Sequence, residues 1–184
     1  MAVSTQTYQQ LALEDLEGHW ELFEGRPRRK PGMTQEHNTV AWWLANIIQR
    51  QVDPRVFQVR VNSSRTNRSE VSYFIPDVVV IPRALMRSYG EDGPLETYDV
   101  PLPFVAEVWS RSTGDYDVEQ KFPEYQRRGD LEIWRVQPYE RTVTAWRRGA
   151  DGGYAETTAT SGELHIESLP SVRVSLAELF EYLD

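Results

Sequence analysis

The chain has 184 residues, of which 40% are hydrophobic and 26% are charged, and its formal net charge is -8. This length fits one domain over residues 1–184, and the composition excludes a disordered chain. The absence of cysteine excludes disulfides, thiolate nucleophiles and cysteine-based zinc sites. Because no apolar run approaches the roughly 20 residues of a membrane span and nothing resembles a secretory signal, we expect a cytoplasmic protein without a membrane partner.

The acidic balance argues against general affinity for nucleic acid, which comes largely from Lys and Arg side chains that neutralise phosphates. The positive charge is nevertheless clustered, first at Arg28, Arg29 and Lys30 beside Arg26. Such a cluster is more often solvated surface than a binding site. We keep Arg28, Arg29 and Lys30 as the candidate contacts with nucleic acid.

The N-terminal part is predicted to hold two helices with a hairpin between them. Leucines among acidic residues indicate a helix over 8–16, which Gly18 ends. The stretch HWELFEGRPRRKPGM is typical of a hairpin that turns at Glu24-Gly25. A second helix is predicted from Thr34 to about Arg50, with a buried face of apolar residues at helical spacing: Val40, Trp43, Leu44, Ile47 and Ile48.

The rest of the chain is predicted to alternate strands with one longer helix. Strands are expected over 56–61, 71–75 and 77–81, followed by a functional or mobile loop over 82–103. The apolar stretch PFVAEVWS suits a central strand, and a helix over 117–128 ends at Gly129. Next come two strands, LEIWRVQ and TVTAWRR. They are followed by a hairpin strand near Tyr154 and a helix over 175–182. This order predicts an α/β fold with a mixed β-sheet flanked by helices and an N-terminal helix and hairpin.

Two acidic residues lie where chemistry could be placed. Asp77 opens an aliphatic strand directly after Pro76, a position typical either of a turn or of a site at a strand end. Glu107 lies inside FVAEVW, where a charge is costly unless it is compensated. A salt bridge, a bound proton or a metal ion would each compensate it.

Two further candidates lie on helices. Lys121 is four residues from both Asp117 and Tyr125, and a simple Asp117–Lys121 surface pair is the alternative to a site role. Glu36, beside His37, begins the second helix, where an acid also favours the helix dipole. The isolated histidines make a His-rich zinc site improbable, and no G-x-S-x-G motif supports a catalytic serine.

Taken together, these residues resemble a known family. The similarity is in ELFEGRPRRKPGMTQEHN, IPDVVVIP and TVTAWRR, and above all in FVAEVWSRSTGDYDVEQKFPEYQRRGDLEIWRVQP. The chain resembles the Uma family, a bacterial family of proposed endonucleases within the PD-(D/E)xK restriction-endonuclease-like superfamily. The resemblance covers nearly the whole chain and implies a restriction-endonuclease-like fold.

The resemblance also implies a site and a reaction. It makes Asp77 and Glu107 metal-binding acids and adds Glu36 as a catalytic acid. Since a hard cation prefers oxygen ligands, the Val108 carbonyl beside Glu107 is a further candidate ligand. The superfamily lysine is usually two residues after the second acid, where this chain has Trp109, so the resemblance places it at Lys121. The implied cofactor is Mg²⁺ or Mn²⁺, and the implied reaction is phosphodiester hydrolysis of DNA.

Other functions stay open from the sequence. A nucleic-acid- or protein-binding module with weak or no catalysis would fit the acidic net charge and the missing local E-x-K. A glycoside hydrolase built on Asp77 and Glu107 needs a sugar groove, but Trp43, Trp109 and Trp134 fall on apolar faces and are typical of core positions. We also consider a homodimer.

Overall fold

The computed structural model describes residues 2–86, 95–111, 114–169 and 171–183. Its helices are α1 (Thr5–Glu14), α2 (Gln35–Gln49), α3 (Gly114–Tyr116), α4 (Phe122–Arg128) and α5 (Leu176–Leu179). Short 3-10 turns span Leu16–Gly18, Arg83–Leu85 and Glu181–Leu183, and a π-helical turn, Asp117–Lys121, connects α3 to α4.

The strands begin with β1 (Trp20–Phe23), β2 (Arg26–Arg29), β3 (Phe57–Val61), β4 (Arg65–Ser69), β5 (Ser72–Phe74), β6 (Val78–Pro82) and β7 (Thr97–Tyr98). The remaining strands are β8 (Phe104–Val108), β9 (Glu132–Gln137), β10 (Thr142–Arg148), β11 (Tyr154–Ala159), β12 (Glu163–His165) and β13 (Arg173–Ser175).

The strands form two larger sheets and one small pair. The six-stranded sheet has the order β11-β10-β9-β8-β6-β3, and the five-stranded sheet has the order β2-β1-β5-β4-β7. Strand β8 pairs in parallel with β9 and antiparallel with β6, so the larger sheet is mixed and β8 lies inside it. Every residue of β8 is buried, including Glu107.

Helix α2 covers one face of the six-stranded sheet. The Thr34 side chain accepts a hydrogen bond from the backbone N–H of His37 and caps the helix. Val40, Leu44 and Ile48 are then buried at helical spacing in one core cluster with alternate residues of the two central strands: Val78 and Val80 of β6, and Phe104, Ala106 and Val108 of β8. The start of α2 is therefore held close to the end of the sheet where β6 begins.

The chain passes from one sheet to the other over three residues. Strand β5 ends at Phe74 in the five-stranded sheet, and β6 begins at Val78 in the six-stranded sheet. Ile75, Pro76 and Asp77 lie between them. The polar groups at this crossing come from both sheets, from α2 and from the helix after β8.

The helical segment over 114–128 changes its hydrogen bonding halfway. The backbone N–H of Phe122 donates to the Asp117 carbonyl five residues earlier, the spacing of a π-helix. Pro123 lacks the N–H that an α-helix would use at the next position, which accounts for the change at this place. Gly129 ends the segment in the left-handed region, at φ 86°. The π-helical turn carries Lys121, which is buried.

The predicted α/β class, with helices flanking a mixed sheet and an N-terminal helix and hairpin, is confirmed. The sequence did not indicate β4, β7, β12 or β13, and the helix predicted over 175–182 is α5 followed by a 3-10 turn. The predicted loop over 82–103 contains a 3-10 turn and β7, and its residues 87–94 lie outside the described part. No helix in the described part is long and apolar enough to cross a membrane.

Candidate active site

Asp77 is buried and its carboxylate accepts hydrogen bonds from three directions. Lys30 Nζ donates to Oδ1 at 2.7 Å, and the Val108 backbone N–H donates to Oδ2 at 2.7 Å. His37 Nε2 lies 2.9 Å from Oδ2 and donates to it, since an ionised carboxylate only accepts. Burial by itself disfavours the ionised form, but Lys30 and His37 outweigh burial and hold the pKa of Asp77 below its ordinary value. Asp77 is therefore a charged carboxylate.

Glu107, on β8, has a different set of neighbours. The Tyr125 hydroxyl donates to Oε1 at 2.5 Å, and Lys121 Nζ lies 3.3 Å from the same oxygen. Burial raises the pKa of Glu107 well above its ordinary value against the attraction of Lys121, and the negative charges of Asp77 and Asp117 raise it further. Glu107 consequently holds a proton more readily than a carboxylate in water.

Lys121 is 1% exposed and its ammonium group lies among three carboxylates. Nζ is 2.9 Å from Glu21 and 3.3 Å from both Glu107 and Asp117. The Asp117 pair is thus part of a buried cluster and not the isolated surface pair considered from the sequence. Burial would lower the pKa of Lys121, but these acids raise it well above its ordinary value. Lys121 therefore stays charged, and a general-base role that depends on a lowered pKa does not fit it.

The Asp77 and Glu107 groups are joined through the backbone. The N–H of Val108, next to Glu107 in the chain, is the group that donates to Asp77. The Ile75 carbonyl accepts from Lys30 Nζ at 2.8 Å and from Lys121 Nζ at 3.4 Å. The Ile75 N–H donates to Glu21 at 2.8 Å. Three acids and two lysines therefore meet where the chain crosses between the sheets.

A family model described as "Putative restriction endonuclease", Uma2, matches residues 5–177. The chain belongs to the Uma2 family. A crystal structure of a "putative nuclease belonging to DUF820" from Anabaena variabilis has the same fold, with a TM-score of 0.79 over 99% of both chains. The two chains are 17% identical, so this likeness bears on the fold alone. A search of curated proteins finds no significant match. Family and fold together indicate a restriction-endonuclease-like nuclease.

In this Uma2 protein, the helix-start pair Glu36-His37 is divided between two environments. His37 is buried on Asp77, whereas Glu36 is half-buried and, among the described residues, forms no hydrogen bond or ion pair with Asp77 or Glu107. Hydrogen bonding at the helix start, from the Glu36 backbone and then Thr34, lowers the pKa of Glu36. The geometry thus brings His37 into the cluster, and a catalytic role of Glu36 stays a prediction.

Three further members of the cluster were not assigned to the site from the sequence. Glu21 was read only as part of the hairpin, although an acid between Trp20 and Leu22 on a predicted strand was a signal. Tyr125 and Asp117 were visible as neighbours of Lys121 on one helix face, and both contact the same group of charges. Of the three, only Glu21 is distant in the chain from Lys121, so its place in the site depends on the contact between the hairpin and the helix.

The basic residues of the hairpin also separate. The Arg28 guanidinium lies over the Tyr116 ring, 3.7 Å from its centroid, and Arg29 is exposed. Lys30 is 9% exposed, and besides Asp77 its ammonium donates to Asn62 Oδ1 at 2.6 Å and to the Ile75 carbonyl. The interpretation of this cluster as solvated surface is therefore wrong for Lys30, because Asp77 holds it in the interior.

The donor set of the site suits a divalent cation by its charge. Glu21, Asp77, Glu107 and Asp117 supply four carboxylates, whereas Lys30 and Lys121 supply two ammonium groups. Burial raises the pKa of Glu107, and this excess of negative charge raises it further. The described residues contain no group of three or more His, Asp and Glu arranged to hold a metal ion. Mg²⁺, however, commonly uses only one or two carboxylates and completes its shell with water and substrate oxygens.

Proposed function

We propose that this Uma2 protein is a metal-dependent endonuclease that hydrolyses phosphodiester bonds in DNA, with Asp77 and Glu107 as its metal-binding acids. One observation carries the proposal: the Val108 N–H donates to Asp77, so that both acids lie at neighbouring strand ends within one buried charge cluster. The match to the Uma2 family over residues 5–177 supports the nuclease class.

Asp77 and Glu107 would hold Mg²⁺ or Mn²⁺, and the Val108 carbonyl is a third oxygen at the same strand end. When bound, the cation would neutralise phosphate charge and make water a better nucleophile. Binding at Glu107 requires the loss of its proton, because the proton and the cation compete for the same carboxylate. Asp77 needs no such step, since Lys30 and His37 already keep it ionised.

The other charged residues would orient these acids. Lys121 stays protonated and holds Glu107 in place from the helix. It would replace the usual lysine of the strand, whose position is occupied by Trp109 in this chain. The Tyr125 hydroxyl donates a second hydrogen bond to Glu107, and His37 donates one to Oδ2 of Asp77. Such preorganised groups contribute to catalysis because they need not rearrange as charge develops on the phosphate.

Contacts with the DNA backbone would come from Arg28 and Arg29, since the three N–H bonds of Lys30, the third basic residue considered from the sequence, are used on Asp77, Asn62 and Ile75. In an acidic protein a local group of basic side chains is needed to offset repulsion of phosphates. Replacing Arg28 and Arg29 together is expected to flatten the dependence of DNA affinity on salt, whereas Lys30 must be kept because its loss would leave buried Asp77 without its cation. A homodimer, a single domain over the whole chain and a cytoplasmic location stay predictions.

The test is cleavage of single- and double-stranded DNA with Mg²⁺ and with Mn²⁺. Asp77→Asn and Glu107→Gln should each lower the cleavage rate by about 10²–10³. Glu119→Gln is the matched control, since Glu119 is an exposed acid on the π-helical turn, and its rate should equal that of the wild type. Circular dichroism must show that each variant is folded. Cleavage that survives in both folded site variants would refute this site.

One observation favours the alternative of a binding module with little catalysis. Both proposed metal ligands already have a lysine ammonium within hydrogen-bonding distance, and this arrangement is stable as a structural charge cluster. Under this alternative, pure wild-type protein binds DNA without cleaving it, and adding Mg²⁺ leaves both its thermal stability and the DNA length unchanged.

A further inference from the structure

A large opening beside the site lies at the base of the β1–β2 hairpin. It has a volume of about 510 Å³, within the range of pockets that bind small molecules or single nucleotides. His19 and Arg29 lie on its hairpin side, and Asn38, from the first turns of α2, lies on another. Lys30 and Asn62 form the part of the wall that reaches the active site.

This cavity is directly connected to Asp77. Lys30 donates to Asp77 and to Asn62, so the cavity wall and the proposed metal ligand share one ammonium group. Asn38 also follows His37, the other side chain on Asp77. A ligand in the cavity would therefore lie next to the reacting centre rather than at a distant surface.

The polar groups that line the cavity are mostly hydrogen-bond donors. Among the described residues that line the cavity, Arg29, Lys30 and His19 can donate and Glu17 is the one acid, although the whole chain is acidic. Lys30 uses its three N–H bonds on Asn62, Ile75 and Asp77. Since an ammonium cannot accept, the Asn62 atom that faces Lys30 must be oxygen, which leaves the Asn62 amide N–H groups as donors.

Arg29 is the exposed cation of this wall. Among the described residues it forms no ion pair, and its guanidinium suits the planar, two-point recognition of a phosphate group. The charge of Lys30 is balanced by Asp77, so the positive charge that this wall offers to a ligand comes from Arg29. The cavity therefore offers donors and positive charge without requiring Lys30 to leave Asp77.

A second cavity, on the Glu107 side, has the opposite chemistry. Its volume is about 170 Å³, and its polar wall includes the carboxylates of Glu107, Asp117 and Glu156 against one arginine, Arg135. Aromatic side chains, among them Phe122 and Trp146, form much of the remainder. Phosphate is repelled there, so a polyanionic strand would approach from the hairpin side.

We propose that the cavity at the base of the β1–β2 hairpin is a phosphate-binding subsite for the nucleic-acid strand, in which Arg29 and the Asn62 amide contact a backbone phosphate next to the scissile one. This inference rests on the proposed function, because it assumes that a nucleic-acid strand is the substrate. It names the residues that position the strand, which are different from those that hold the cation.

The test measures binding separately from cleavage. The probe is a fluorescein-labelled single-stranded 12-nucleotide DNA, and its affinity is measured by anisotropy in EDTA at several salt concentrations. Arg29→Gln should weaken binding about fivefold or more and lower the salt slope by about 0.7, the loss of one phosphate contact. Asn62→Asp, which places a negative charge in the cavity and suits the left-handed backbone at this position (φ 48°), should weaken binding about tenfold.

Arg26→Gln is the matched control, since Arg26 is exposed on the same strand, loses the same charge and does not line the cavity. Its affinity should stay within about twofold of the wild type. Equal losses in Arg26→Gln and Arg29→Gln, or no loss in Arg29→Gln and Asn62→Asp, overturn the subsite. Wild-type protein that binds no DNA overturns it as well.

Cleavage of the same oligonucleotide with Mg²⁺ separates the two proposals. If binding depends on Arg29 but no cleavage occurs, the subsite stands and the nuclease proposal fails. If cleavage occurs and Arg29→Gln changes neither its affinity nor its KM, the nuclease proposal stands and the subsite fails.

Discussion

The Asp77 side and the Glu107 side of the site each combine buried carboxylates with a buried lysine. They differ in how many compensating groups each carboxylate has. Asp77 has Lys30, His37 and a backbone N–H to itself. Lys121, by contrast, is shared among Glu107, Glu21 and Asp117. Burial disfavours ionisation of both carboxylates, yet the pKa falls for Asp77 and rises for Glu107.

Burial raises the pKa of both acids, so the difference between them comes from the number of compensating partners. Asp77 is a permanent anion whose partners are in place before any ligand arrives. At Glu107 the negative charge of the cluster is not fully compensated, so this carboxyl group can bind either a proton or a cation. The site therefore combines a fixed ligand with an exchangeable one.

The largest expected effect is a difference in stability between two isosteric variants. Asp77→Asn leaves Lys30 buried without its anion and should lower the free energy of unfolding by about 3–5 kcal/mol at pH 7. Glu107→Gln removes an acid that already favours its neutral form, so its stability should change by less than about 1 kcal/mol. Urea unfolding of both variants in EDTA measures this difference. Equal losses would mean that the two sides are not distinct.

The next effect concerns pH. The raised pKa of Glu107 means that its contribution to stability is complete below the ordinary range of a Glu carboxyl and is lost as pH rises through the folded-state pKa. In this window the metal-free wild type should lose up to about 1.4 kcal/mol of stability per pH unit relative to Glu107→Gln.

The contribution of Asp77 to stability depends on pH in the opposite direction. Its lowered pKa gives a contribution that is present above the ordinary range of an Asp carboxyl and is lost as pH falls toward the folded-state pKa. The stability gap between wild type and Asp77→Asn should therefore shrink in acid. Thermal unfolding from pH 3 to pH 9 follows both gaps, and a Glu107→Gln gap independent of pH would contradict the assigned direction.

A smaller effect is expected from Tyr125→Phe. It removes the hydroxyl that donates to Glu107 at 2.5 Å, and between neutral partners this hydrogen bond contributes about 0.5–1.5 kcal/mol. The loss should grow as pH rises and Glu107 becomes charged. Tyr139→Phe, at an exposed tyrosine, is the control and should show no such pH dependence. A Tyr125→Phe loss that stays constant with pH would indicate a packing effect only.

The smallest effect is expected from Arg28→Gln. It removes a cation from the face of Tyr116, an interaction of about 0.5–1 kcal/mol at an exposed site. If Arg28 also contacts DNA, the slope of log affinity against log salt concentration should fall by the amount that corresponds to one phosphate contact. Stability loss with an unchanged salt slope would assign Arg28 to the aromatic contact alone.

Local patterns in the sequence were sufficient for much of the fold. The apolar run around Glu107 indicated a central strand, and helical spacing indicated α2, because both signals arise from residues close together in the chain. Strand β4 was not indicated, since RTNRS has no apolar alternation and is held by pairing with β5 and β7. Its structure depends on neighbours that no local window contains.

The sequence by itself determined which residues of the site are unusual: an acid in an apolar strand, an acid at a strand start and a lysine on the following helix. Only the tertiary structure decided their charges. Glu21 reaches Lys121 across 100 residues of chain, and Lys30 reaches Asp77 across 47. The pKa of a buried group depends on the charges within a few ångströms, and folding brings those charges from the hairpin, α2, the sheet and the π-helical turn.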